Sequence, residues 1–206
     1  MITPTDARAA FFDAIADQWD GWDDLAALAQ RLAAGLEALG LERDETVLDV
    51  GCGTGNLTLA LLARLSAAGR VHAIDASARM VAVARGKIAD PRVTWHAVDA
   101  LRLPLADASA DRVVCFSVWP HFDDPVAVAT ELGRVLRPGG RLHVWHLLPR
   151  ERVNAIHAEA GPAVRHDLLP PATETAALLT ATGLPATALL DDADGYLVTA
   201  IKPRLG

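Results

Sequence analysis

Lysine is nearly missing from this chain: of its 19 Lys and Arg residues only Lys87 and Lys202 are lysine, and the 26 Asp and Glu leave a formal charge of −7. No basic residues cluster into a run. Binding a phosphate backbone requires a basic footprint that displaces counterions, so no nucleic-acid partner is expected. Cysteine is scarce as well. Cys52 and Cys115 lie in apolar stretches that read as buried or tightly turned, which gives no disulfide framework and points to a reducing, cytoplasmic setting. No apolar run approaches the roughly 18 residues of a membrane span. The opening MITPTDARAAFF lacks the basic-then-apolar order of a secretory signal, so the chain is expected to be soluble and untargeted, with no membrane partner. Repeats, low-complexity tracts and linkers are also lacking. At 206 residues folding removes roughly 70% of the unfolded surface from water, so a single domain over 1–206 is expected without structural metal.

Forty alanines favour helix and blur its apolar face. Two N-terminal helices are expected, from Asp6 to Gln18 and from Asp23 to Leu39, with Asp6 and Asp23 as N-caps. Phe11, Phe12, Ile15 and Trp19 lie on or near one face of the first. From Thr46 the pattern changes to short β-branched runs. TVLDV (46–50), RVHAID (70–75), RVTWHAV (92–98), DRVVCFS (111–117) and RLHVWHLL (141–148) read as strands. Helices at Asn56–Ser66, Ser77–Lys87 and Pro125–Leu136 separate them, and Pro138-Gly139-Gly140 reads as a stop and turn. Alternation at this spacing implies a parallel sheet with helices on both faces, and the nearly continuous apolar strands fit burial on two sides. Beyond a polar stretch at 149–171, a helix at Thr173–Thr182 and two strands joined by a turn at Asp191–Gly195 complete an α/β chain whose last pair is antiparallel.

The most informative segment is VLDVGCGTGN, residues 47–56, which runs from a strand through three glycines into a helix. Gly51, Gly53 and Gly55 allow a sharp turn and close approach of a ligand, and the following amides favour a polar or anionic group. Asp75 ends the second strand, where a doubly wound sheet sets an acid against ribose hydroxyls. Asp99 ends the third. The glycines are spaced G-x-G-x-G after Asp49, not G-x-G-x-x-G as a nicotinamide loop requires.

With LDVGCGTG, the acid in AIDAS, the pair Asp99-Ala100 and ELGRVLRPGGRL before the fifth strand, the chain resembles the class I S-adenosylmethionine-dependent methyltransferases of small-molecule type over about residues 11 to 150. The resemblance implies a Rossmann-like, doubly wound, mostly parallel seven-stranded sheet of order 3-2-1-4-5-7-6, with strand 7 antiparallel and a helical N-terminal lid over 1–40. It implies S-adenosylmethionine as cofactor and S-adenosylhomocysteine as product. Gly51 to Gly55 with Cys52 and Asn56 would hold the methionine portion, and Asp49 would organise the loop and the amino group. Asp75 would bind the ribose. Ala76 and Met80 would lie by the adenine, Asp99 would accept from its amino group with Ala100 and Leu101 nearby, and Ser117 would flank the methyl donor. An aromatic in the position of Trp19 would close over the cofactor.

Aligning a nucleophile behind the activated methyl supplies roughly 7–11 kcal/mol of barrier reduction. A hydroxyl or protonated amine acceptor also requires a base, for which histidine is suited. His121 after the fourth strand, His146 late in the fifth and His157 behind it are the catalytic candidates, with 149–171 as a substrate-side insertion. If 150–157 is helical, Arg150, Asn154 and His157 share one face. Three readings of the histidines stay open: strand and loop histidines with satisfied partners, a polar pocket for an organic acceptor, or a metal site. No compact H-x-x-x-H pair supports the last, and no metal ligands are assigned. Amino methylation of nucleic acid would require an Asn/Asp/Ser-Pro-Pro segment where Phe116-Ser117-Val118-Trp119-Pro120 stands, and arsenic methylation would require more thiolates. A protein methyltransferase and a cofactor-binding partner without activity are the remaining alternatives to a small-molecule enzyme.

Overall fold

The computed structural model describes residues 4–204, with side chains from residue 7 onward. Helix α1 spans Pro4–Ile15, a short 3-10 turn Trp19–Trp22, and α2 Leu25–Ala38. There follow β1 Thr46–Val50, α3 Asn56–Arg64, β2 Arg70–Asp75, α4 Ala78–Lys87, β3 Val93–Ala97 and β4 Ala110–Phe116. A second 3-10 turn, Trp119–His121, leads into α5 Pro125–Val135, β5 Leu136–His146, α6 Arg150–Glu159, α7 Ala172–Ala181, β6 Ala186–Asp192 and β7 Gly195–Ile201. The seven strands form one sheet of order β3-β2-β1-β4-β5-β7-β6. β7 runs antiparallel to both β5 and β6, and the other pairs are parallel. This is the expected α/β architecture.

Alternation along each strand divides the apolar residues between two layers. Val47 of β1 packs with Leu61 of α3 and Leu32 and Leu36 of α2, whereas Leu48 and Val50 face Val128 and Leu132 of α5 and Leu179 of α7. Each such Leu or Val, buried to a few per cent, contributes about 1.5–3 kcal/mol, and together they fix the strand register. Gly35 in α2 lets the helix pack closely on the sheet, since a Cβ there would meet the Trp145 ring at 2.2 Å. The same period turns Asp49 toward α3 and His146 toward Tyr196, whose ring centroid lies 5.6 Å away.

Several boundaries differ from expectation. Asp24, not Asp23, caps α2, its carboxylate accepting from the amides of Ala26 and Ala27 at 3.0 Å; Asp23 instead closes the preceding 3-10 turn. Asp6 lies inside α1, which begins at Pro4, and its side chain falls outside the described residues. The first helix ends at Ile15, so Trp19 belongs to the separate turn and meets Phe12 edge-on at 5.9 Å. Pro138-Gly139-Gly140 does not stop the chain but lies within β5, where the register with β4 shifts between Ala110 and Arg112. The left-handed φ of 85° at Gly139 and its amide bond to the Lys202 carbonyl carry the strand through this bulge. β5 then ends at His146, leaving Leu147 and Leu148 beyond it.

Candidate functional site

The strand order reverses between β1 and β4, and in an open parallel sheet ligands gather outside the carboxyl ends at such a point. Two adjoining clefts open there, of about 930 Å³ and about 920 Å³. Trp19, Gly51, Gly53 and Ser117 line both. The first also receives Asp75, Ala76, Met80, Asp99, Ala100, Leu101 and His121, and the second Asp49, Cys52, Asn56 and His146. Gly55 and His157 line neither.

The glycine loop has the form that its sequence requires. Gly51, Gly53 and Gly55 take φ of 69°, 51° and 86°, a region costly for other residues. A Cβ on Gly51 would meet Val118 at 2.3 Å, and one on Gly55 would meet Ile88 at 2.7 Å; on Gly53 it would point into open space. Gly55 therefore serves the packing of α3, and Gly53 leaves room in the cleft. Ser117, at the end of β4, also has a left-handed backbone, φ 53°, with its amide bonded to the Trp145 carbonyl at 2.9 Å. Strain at a non-glycine residue facing a cleft marks a site whose surroundings hold it in place.

The acids differ in their partners. Asp75 accepts from the amides of Gly53 at 2.9 Å and Ser77 at 2.8 Å, one on each oxygen. Burial raises its pKa, and those two bonds oppose the shift. Asp49 is fully buried; Thr58 donates to Oδ2 at 2.6 Å, while Oδ1 has no partner among the described residues. Burial pushes its carboxyl up to about 7. Asp99 accepts from the Leu101 amide at 2.8 Å. Burial likewise pushes the Cys52 thiol up, so it fills the loop as a neutral group.

The N-terminal segment is fastened across this end of the molecule. Asp13 accepts from Ser77 Oγ at 2.5 Å and the Arg79 amide at 2.9 Å, and Asp17 pairs with Arg79. Asp20 accepts from Thr54 Oγ1 at 2.6 Å, Asn56 Nδ2 at 3.0 Å and Lys87 Nζ at 2.8 Å. Asn56 is thus engaged with Asp20, Thr54 and Lys87. Arg8 donates to both carboxylate oxygens of Asp167 at 2.8 Å.

The three candidate histidines come together without being equivalent. His121 Nδ1 lies 2.8 Å from Asp167 Oδ2, and its ring packs 5.1 Å from Phe12 and 4.8 Å from His157. His157 Nδ1 meets the Asp167 carbonyl at 2.5 Å, and burial lowers its pKa. His146 is buried with Nε2 unpartnered among the described residues, and burial holds its pKa down at about 3. Among the described residues no group of three or more His, Cys, Asp or Glu side chains is placed to hold a metal ion. Asn154 shares a helix with His157 but is committed to the backbone of Leu169, at 2.7 and 3.2 Å. Sequence reasoning missed Arg8 and Asp167: they lie 159 residues apart, and neither stands in a motif.

Residues 47–140 match a family model described as a methyltransferase domain. A solved S-adenosylmethionine-dependent methyltransferase from Aquifex aeolicus superposes with a TM-score of 0.75 at 23% identity, over 91% of this chain and 98% of that one. Over residues 47–140 the chain is thus similar to methyltransferase domains, and its fold is that of the solved S-adenosylmethionine-dependent enzyme. Among curated relatives, methyltransferase GfsG of Streptomyces halstedii is 38% identical over 133 residues, 62% of this chain and 47% of its own length. A demethylmenaquinone methyltransferase of Lactiplantibacillus plantarum is 33% identical over 138 residues, 64% of this chain and 58% of its own length. The chain thus spans about half the length of these methyltransferases. Among the described residues no helix is long and apolar enough to cross a membrane.

Proposed function

We propose that the protein transfers a methyl group from S-adenosylmethionine to a small-molecule acceptor, with S-adenosylhomocysteine as the second product. One observation carries this reading: ten residues picked out by motif, from Trp19 to Ser117, line a single cleft at the sheet's switch point. The donor set fits the cofactor. Gly53 leaves open space beside the loop, and Asp49 Oδ1, buried and unpartnered nearby, is an acceptor suited to an ammonium group. Asp75, fixed by two amides, has lone pairs left for a pair of ribose hydroxyls. Met80, Ala76, Ala100 and Leu101 give an apolar seat for adenine, with Asp99 at its edge. When bound, the cofactor supplies a methyl group activated on a sulfonium.

The chain's own work is then to orient the acceptor, exclude water and hold its proton. His146 stays neutral at pH 7 and offers an unpaired ring nitrogen in the second cleft, which suits it to orient an acceptor. His121, hydrogen-bonded to Asp167 in the first cleft, is arranged to take a proton from a hydroxyl or amine, and His157 backs its ring. Residues 1–40 act as a lid over the clefts and 149–171 as the acceptor-side segment, within one unit over 1–206. Relatives named for quinone acceptors support a small molecule as substrate. The acidic balance and the two buried free cysteines fit a cytoplasmic enzyme that does not act on nucleic acid.

Calorimetric titration with S-adenosylhomocysteine tests the reading. We expect saturable binding at one site, weakened about 10- to 100-fold in Asp75→Ala, as for loss of hydrogen bonds to a charged group. Absence of binding by the parent chain would refute it.

A further inference from the structure

Asp167 holds an unusual position: one residue meets a lid arginine and two histidine rings through different atoms. Its Oδ2 lies 2.8 Å from both Arg8 Nε and His121 Nδ1, and its Oδ1 lies 2.8 Å from Arg8 Nη2. Its backbone carbonyl lies 2.5 Å from His157 Nδ1. A carbonyl can only accept, so His157 Nδ1 carries the hydrogen of that bond. The carboxylate is also acceptor-only when ionised. Burial opposes ionisation, but His121 and Arg8 hold this carboxyl below the usual range. His121 Nδ1 therefore carries a hydrogen too.

We propose that Asp167 is a positioning residue that fixes the same tautomer in His121 and His157, with the proton on Nδ1 and the lone pair on Nε2, and that Arg8 of the lid helix orients the carboxylate that does so. Asp123 takes the third Arg8 nitrogen, so the guanidinium is clamped between two acids and its fork keeps the Asp167 carboxylate plane fixed. The His121 ring is held edge-on by Phe12 and from the side by His157, which leaves the ring little freedom to rotate its nitrogens. The consequence for chemistry rests on the proposed methyl transfer. When an acceptor O–H bond breaks, its proton passes to His121 Nε2, the bonding pair stays on oxygen, and the imidazolium formed lies against the Asp167 carboxylate.

The experiment is long-range proton–nitrogen NMR of the imidazole rings in the full chain, without added ligand, at a pH where the rings are neutral. We expect His121 and His157 both to show Nδ1–H. In Asp167→Ala the two rings should part company. His121 loses the acceptor that Asp167 gives its Nδ1 and shifts toward the Nε2–H form that predominates in an unrestrained imidazole, while His157, held by the backbone carbonyl of residue 167, keeps Nδ1–H. An Nε2–H signature for His121 in the parent chain overturns the proposal even if the variant does not fold. So does an Asp167→Ala spectrum in which His121 is unchanged. The same samples titrated with S-adenosylhomocysteine separate the two readings, because a chain that binds none has lost the proposed activity without any change in where its ring protons sit.

Discussion

Two polar clusters are buried at opposite ends of the same sheet, and they are built differently. At the amino end, Arg112 of β4 is 1% exposed and spends its donors fully: Nε and Nη2 on Glu45 at 2.6 and 2.7 Å, Nη1 and Nη2 on the carbonyls of Leu39 and Gly40, and Nη1 on His143 Nε2 at 2.7 Å. His143 Nδ1 in turn meets Thr199 Oγ1 at 3.0 Å. Burial and the neighbouring guanidiniums hold this histidine down at about 3, so it stays neutral and can accept from Arg112. At the carboxyl end, Asp49 Oδ1 and His146 Nε2 are equally buried yet unpartnered. Buried polar groups are expensive when unpaired. The saturated cluster serves stability, and the unsaturated pair, at the cleft, fits the proposed place for a ligand that completes the bonding.

The largest effect expected from breaking this contrast is on folding. Glu45→Ala leaves the Arg112 charge buried and uncompensated, which should cost about 3–5 kcal/mol in urea unfolding, while molecules still folded bind S-adenosylhomocysteine as the parent does. The reverse pattern, intact stability with lost binding, would make the amino-end cluster part of the site. A smaller effect concerns protons. Asp49 is raised to about 7 in the folded chain, so a ligand ammonium that requires the carboxylate must expel its proton. Titrations in buffers of different ionisation enthalpy should show close to one proton released per S-adenosylhomocysteine near pH 6, almost none near pH 8.5, and none at either pH in Asp49→Asn. The sign follows from the raised value: affinity falls as pH falls through about 7. Smallest is the effect of Arg8→Gln, which removes one of several fastenings of α1. It should speed release of S-adenosylhomocysteine several-fold in stopped flow and lower the unfolding free energy by about 1–2 kcal/mol, less than Glu45→Ala does.

The saturated cluster was not legible in the sequence, whereas most of the unsaturated one was. The glycine loop, Asp49 and Asp75 stand at or near strand ends that alternation locates, Asp99 lies two residues past the end of β3, and glycine takes the positive φ at Gly51 and Gly53 at least cost. Arg112, Glu45 and His143 look like ordinary polar residues because their partners come from separate segments, 67 and 31 residues apart for Arg112. The Arg8–Asp167 pair escaped for the same reason. Adjacent acids concealed the cap of α2, since Asp23 and Asp24 differ only in which carboxylate the final turn aims at the amides of Ala26 and Ala27. Pro138-Gly139-Gly140 misled because a bulge and a turn call for the same residues, and only pairing with β4 distinguishes them.

The fastening of α1 and the turn after it has a mechanical meaning. Its ion pairs with the cleft rim are graded from the outside inward: the Asp17–Arg79 side chains are 62% and 52% exposed, both Asp20 and Lys87 are 26% exposed, and Arg8 and Asp167 are 17% and 4% exposed. Exposed ion pairs are worth about 0–1 kcal/mol and weaken as salt shortens the Debye length below about 8 Å, whereas sheltered pairs are screened far less. The helix is thus held like a zip with loose outer teeth and a firm inner one. Added salt therefore loosens the outer pair well before the inner one.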